Sequence, residues 1–262
     1  MVRNLLTLPG DITSNNASSL LQGRGTYVDG HQLKAGFLGT FKMVNQLAYV
    51  EPIHGRYNAQ IGDVVVGVVR RIRGKCWYMD IGAPARVQLS ILQVNTEKLA
   101  NRRKGDKDIY DMRKIFAIGD AISCEVQRIS ARGTIMLQTR TSKYGRLTNG
   151  VLVRVKPNLL LRQSKHMHDL QCGVRMIFGC NGFIWISRLY EGGDAATQLR
   201  ACHDIYTFRR IILTLSGASV QISLRLLCEI YIYFRQRYPT VNILSKDFAP
   251  ELLDQFLTDR SM

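Results

Sequence analysis

Between residues 166 and 182 the chain gathers the side chains that most invite a chemical reading. His166-Met167-His168-Asp169, with Cys172 following, offers ligand types that suit zinc or copper. Gly179-Cys180-Asn181-Gly182 has a G-x-x-G spacing, in which glycines let a backbone approach phosphates closely. The histidine group lacks a fourth ligand at familiar spacing, so structural or polyanion-contacting histidines are the preferred reading and no metal is expected. Asn181-Gly182 serves equally well as the turn of a β-hairpin, and the hairpin is preferred over a phosphate loop.

Catalysis finds little support. There is no G-x-x-x-x-G-K-[ST], no H-E-x-x-H and no G-x-S-x-G. The carboxylates are few and scattered, whereas a two-metal nuclease needs several that converge. A non-enzyme without a cofactor is expected.

Charge points to a partner. Among 262 residues, 36 Lys and Arg face 20 Asp and Glu, a formal charge of +16, which calls for a polyanion. No apolar run approaches the roughly 20 residues of a spanning helix, and the N-terminus lacks a signal-like apolar region, so nucleic acid is favoured over lipid and no membrane partner is expected. The six cysteines include no C-x-x-C pair and read as small buried hydrophobes of a reducing, intracellular compartment. From Leu137 to Arg175, the cations Arg140, Lys143, Arg146, Arg154, Lys156, Arg162, Lys165 and Arg175 face the single carboxylate Asp169, which suggests a phosphate track. Arg102, Arg103 and Lys104 lie in a charged run that reads as a solvated loop also able to touch phosphate.

The elements that must carry these residues divide into three parts. Residues 1–58 read as a small N-terminal β-domain, with strand-like runs at Leu38–Met43 and Gln46–Val50. Residues 59–148 contain five short strands, Val64–Val69, Cys76–Ile81, Ala85–Ser90, Ala121–Ile129 and Thr134–Thr139, which suit an OB-type barrel. Period-two alternation puts Trp77, Met79 and Ile81 in its core and Cys76, Tyr78 and Asp80 on the opposite face. There Tyr78 either stacks a base or packs beneath a neighbouring loop or subunit. Residues 149–262 read as an α+β module, with strands at Val151–Val155, Val174–Phe178 and Phe183–Ser187. Helices follow from Asp194 or Ala195 to Leu215, with Leu199, Cys202, Ile205, Tyr206, Ile212 and Leu213 at helical spacing, and from Ser219 to Tyr238, ended by Pro239. The fold class is mainly β plus α+β.

Four strings in this order resemble a known family: Pro9-Gly10-Asp11 with Gly23-Arg24-Gly25-Thr26-Tyr27, then Gly62-Asp63-Val64-Val65-Val66-Gly67, then Leu137 to Leu147, then Gly179 to Ile186. Together they are similar to the exosome RNA-binding cap subunits of the ribosomal RNA processing protein four type, which combine an N-terminal domain, an S1 barrel and a KH domain. The resemblance implies a non-catalytic subunit seated with other cap subunits on a ring of ribonuclease PH-fold proteins. There it would guide RNA toward catalytic nucleases for 3′-to-5′ processing and degradation, in the nucleus and nucleolus and also the cytoplasm. Candidate RNA contacts are Tyr78, Lys75, Arg102, Arg103, Lys104, Arg140, Lys143, Arg146 and Lys165, and Gly179, Asn181 and Gly182 fill the KH-type glycine motif. The chain has Lys75 and Gln88 where many S1 barrels place aromatics, and its glycine string lies between strands. A phosphorolytic exoribonuclease would place KH before S1 and add large catalytic domains. A free-standing S1/KH factor would leave the Gly-Arg-Gly-Thr-Tyr and Gly-Cys-Asn-Gly-Phe strings unexplained.

Overall fold

The computed structural model describes residues 5–53, 55–95, 109–141, 143–190, 192 and 194–237. Contacts divide the chain into two compact units, residues 1–55 and 56–262. Arg102, Arg103, Lys104, Tyr238 and Pro239 lie outside the described residues, and with them the loop expected at the charged run and the expected helix end at Pro239.

The first unit is built from short strands: β1 (Leu5–Thr7), β2 (Ile12–Ser14), β3 (Leu21–Gln22), β4 (Thr26–Asp29), β5 (Gln32–Ala35), β6 (Gly39–Val44) and β7 (Leu47–Pro52). They form a four-stranded sheet in the order β1-β6-β7-β3 and a three-stranded sheet in the order β2-β5-β4. Asn45 takes a positive φ of 55° in the β6–β7 turn. The buried apolar core is small, with Leu33, Ala35, Ala48 and Val50 at its centre. Leu6, Leu8, Ile12, Leu21, Met43 and Val44 remain exposed, more apolar surface than so small a unit would ordinarily leave to water.

The second unit opens with the expected barrel. Strands β8 (Val64–Arg73), β9 (Cys76–Asp80), β10 (Val87–Val94), β11 (Ala121–Ile129) and β12 (Ile135–Thr139) hydrogen-bond in the order β12-β10-β9-β8-β11. A further β11–β12 pairing closes the ring. Closure leaves the barrel no free edge. The core has Trp77 fully buried among Leu89, Ile91, Ile122, Cys124 and Leu137. A helical turn at Met112–Ile115 delivers Phe116, whose carbonyl accepts the Trp77 indole N–H at 3.0 Å and whose ring meets the indole edge-on at 5.3 Å. The buried indole N–H is thereby satisfied. Strand β13 (Gly145–Leu147) adds to the outside of β11.

The α+β part follows in the same unit. Strands β14 (Gly150–Arg154), β15 (Met167–Asp169), β16 (Val174–Phe178) and β17 (Phe183–Arg188) form an antiparallel sheet in the order β14-β17-β16-β15. Helices α1 (Ala195–Gly217) and α2 (Leu224–Arg237) pack with it. Met176, Ile184 and Ile186 join the helix-facing core, whereas Ile177, Phe183 and Trp185 cluster with Val66 of the barrel. Covering both faces explains why Phe183-Ile184-Trp185-Ile186 and Val64-Val65-Val66 are apolar without alternation.

The first helix runs as expected, and the start of the second needs correction. The buried face of α1 runs through Ile205, Phe208, Ile211, Ile212 and Leu215, while Leu199, Cys202 and Leu213 are exposed. The apolar residues thus form two stripes, and the longer-spaced one faces outward. The second helix starts at Leu224, not Ser219. Ser219 adopts a positive φ of 56° that ends α1, and Ile222 instead bridges Leu160. Ser223 then caps α2, its hydroxyl accepting the Leu226 N–H at 3.2 Å.

Candidate nucleic-acid interface

The outer face of the barrel holds the one expected aromatic. Trp77, Met79 and Ile81 are buried and Cys76, Tyr78 and Asp80 half-exposed, as alternation requires. Strand register sets Tyr78 between Arg71 of β8 and Gln88 of β10, with Arg73, Cys76 and Ser90 forming the next row. Arg71 and Arg73 lie beyond the strand expected at Val64–Val69, which in the structure runs on to Arg73. A bulge between Val69 and Arg71 shifts the phase by one, so Ile72 pairs with Trp77 and the two arginines stand outside. Lys75 is exposed at the β8–β9 turn beside them. An aromatic ring flanked by cations suits stacking of a base while phosphates are held.

The remaining candidates do not all join this face. Arg140 is exposed beyond β12 and donates to Gln93 at 3.0 Å. Lys143 is exposed just before β13. Arg146, on β13, is tied to Asp120 at 3.0 Å. Lys165 is exposed in the α+β part, and its carbonyl receives His168 Nε2. The local charge excess is also shared out by tertiary contacts: Arg154 reaches Asp80, Arg162 reaches Asp63, and Arg175 takes Asp169. The carboxylates missing from residues 137–175 come from elsewhere in the sequence.

The histidines are engaged as well. His166 Nδ1 lies 3.0 Å from the Phe178 carbonyl, and His168 Nε2 lies 2.9 Å from Gln163 Oε1. Asp169 accepts both Nε and an Nη of Arg175, a pair that lowers its pKa. Among the described residues no three His, Cys, Asp or Glu side chains converge as a metal site would require.

Gly179-Cys180-Asn181-Gly182 is the loop of the β16–β17 hairpin, as preferred, but Asn181 is not there for its backbone. Gly182 alone of the pair takes a positive φ, 82°, and a Cβ on it would stand 2.3 Å from the Val155 carbonyl oxygen. Asn181 is 1% exposed, and its side-chain amide faces the barrel. Nδ2 donates to the carbonyls of Val66 at 2.7 Å and Ile81 at 2.9 Å, and Oδ1 accepts the Val66 N–H at 3.3 Å. The Cys180 N–H adds a bond to the Val64 carbonyl at 2.8 Å. Pairing of β8 with β9 reaches only as far as Val68, so the Asn181 amide serves Val66 much as a strand neighbour would. Gly179, Asn181 and Gly182 are all buried. The string latches two parts of the unit together and presents no open cradle to a phosphate.

A second latch lies at the mouth of β8. Buried Asp63 accepts the Tyr57 hydroxyl at 2.6 Å, the Gln60 N–H at 3.0 Å and Arg162 at 3.3 Å. Burial, then the hydrogen bond to Asp63, raises the Tyr57 pKa far above the ordinary tyrosine value of 10.0. A folded-state pKa above the unfolded one contributes stability that is intact below pH 10 and declines as pH rises beyond it. Tyr57→Phe is expected to cost about 1 kcal/mol at neutral pH and to flatten the alkaline decline. Thermal melts between pH 7 and pH 11 check this, and an unchanged alkaline slope would exclude Tyr57 as its source.

A model described as "RRP4, S1 domain" matches residues 56–128, and one described as "KH domain" matches residues 150–189. "Exosome complex component RRP4" of Mus musculus is 39% identical over 189 residues, covering 72% of this chain and 64% of that protein. The Saccharomyces cerevisiae protein of the same name is 33% identical over 183 residues, covering 70% of this chain and 51% of that one. "Exosome complex component Rrp4" of Pyrococcus abyssi is 30% identical over 190 residues, covering 70% of this chain and 69% of that one. The chain spans a little over half to two thirds of the length of these relatives.

Proposed function

Because the chain belongs to the RRP4 family of exosome complex components, we propose that it is a non-catalytic RNA-binding cap subunit of the exosome. On this reading it binds RNA, seats on ring subunits of the ribonuclease PH fold beside other cap subunits, and steers RNA toward nucleases held elsewhere in the complex. The observation that carries the proposal is the open barrel face on which Tyr78 stands among Arg71, Arg73 and Lys75, in an order of barrel then KH-type module that the family shares. The non-catalytic part of the reading rests on the family's character as an RNA-binding component. We place the protein in the nucleus and nucleolus and also in the cytoplasm, where such complexes meet their RNAs.

The first unit is proposed as the ring-docking element, because its small core leaves Leu6, Leu8, Leu21 and Val44 in need of cover. Deleting residues 1–55 is expected to abolish capture by reconstituted ring subunits, while residues 56–262 stay folded by circular dichroism and keep weak RNA binding. Stoichiometric capture of the truncated chain would move the docking surface to the second unit.

A further inference from the structure

The α+β part holds a half-open cavity of about 390 Å³ that none of the candidate RNA residues lines. Its walls are the β15–β16 turn, the end of β17, the first turns of α1 and the last turns of α2. The volume falls within the roughly 300–1,000 Å³ of ordinary ligand pockets. Among the described residues Arg188, Arg200 and Arg235 line it against one carboxylate, Asp204.

The two charges sit at different depths. Asp204 is 4% exposed and accepts Arg235 at 2.9 Å, with Tyr231 close enough for its hydroxyl to be pushed up in pKa, first by burial and then by the Asp204 charge. Phe208 and Tyr231 stack at 4.6 Å, and the Arg235 guanidinium lies over the Tyr231 ring at 5.7 Å, so Asp204 is held by a fixed stack. Arg200 is exposed on α1, and Arg188 reaches Gln198 at 3.4 Å, near the limit of a hydrogen bond. Tyr190, 72% exposed, stands among these arginines.

Cations and an exposed ring around a sunken carboxylate select a ligand that is anionic at one end and a hydrogen-bond donor at the other. A nucleotide has both: its phosphate suits the arginines, its base a tyrosine face, and an amino group on the base suits a carboxylate acceptor. An acidic peptide or a free phosphate would answer the arginines and be repelled by Asp204.

We propose that this cavity is a second RNA site, taking one nucleotide of single-stranded RNA whose base carries an exocyclic amino group. The proposal rests on the reading that the chain binds RNA, and it is independent of the barrel face. Cytosine fits and uracil does not, because uracil turns a carbonyl toward the carboxylate at the position where cytosine offers its amine.

The test is fluorescence anisotropy of the full chain with decameric oligocytidylate and oligouridylate. The wild type is expected to prefer oligocytidylate, and Arg200→Glu, at an exposed position, to lower that affinity about fivefold, the effect of losing one charge-assisted phosphate contact. Asp204→Asn, where circular dichroism shows it folded, is expected to bring the two oligomers to equal affinity. Equal wild-type affinities, or an unaffected Arg200→Glu, would overturn the cavity assignment while leaving RNA binding intact. Failure of both oligomers to bind would instead overturn the RNA-binding reading. Displacement of oligocytidylate by polyglutamate from the wild type but not from Arg200→Glu would show that the cavity takes acidic peptide and overturn the proposal.

Discussion

Reversing the charges of Arg71, Arg73 and Lys75 together to Glu is expected to weaken binding of single-stranded RNA by about 100-fold at 0.1 M salt. Each phosphate contact to a single strand contributes about 0.7 to the slope of log affinity against log salt, so three contacts together contribute about 2. At 0.1 M that slope corresponds to two powers of ten. The three side chains are exposed on strand β8 and its turn, away from the Trp77 core, so the barrel should fold normally. By contrast, Lys143→Ala with Arg146→Ala should flatten the slope less, since Arg146 already shares its charge with Asp120. Anisotropy titrations across a salt series measure both. A triple variant with the wild-type slope would remove the outer face of β8 and β9 from the RNA path.

Replacing Asn181 with Ala is expected to destabilise the second unit by about 3 kcal/mol. The change deletes three hydrogen bonds and leaves the Val66 N–H and the Val66 and Ile81 carbonyls buried without those partners. For a unit of this size such a loss lowers Tm by roughly 6–12 °C. The same variant should speed amide hydrogen exchange at Val66 and leave RNA affinity at the barrel face within about a factor of two, since none of the three lost bonds is made by Tyr78, Arg71, Arg73 or Lys75. A large loss of RNA affinity with an unchanged Tm would mean that the loop touches RNA after all, and that its burial is not what it does.

The barrel was legible because local pattern determines it. Alternation in Cys76 to Ile81 assigns its faces correctly, and the five strands from Val64 to Thr139 announce themselves by β-branched residues between turn signals. The first helix was legible in extent though not in orientation, because its apolar residues make two stripes and periodicity alone does not choose between them. Arg71 and Arg73 were hidden because the apolar run that marks the strand ends at Val69, and the bulge that sets their face leaves no mark in composition.

Charge and function separate along the same line. Net charge, the order of the two modules and the identity of the glycine string are properties of the chain, and they suffice to predict a polyanion partner and the fold class. Which cations remain available for that partner depends on contacts across long sequence separations, such as Arg162 with Asp63 and Arg154 with Asp80. Asn181 shows the limit most clearly. Its place in a G-x-N-G string marks the hairpin, but its work is done on Val66 and Ile81, about a hundred residues away, and only folding brings those backbone groups within reach of its amide.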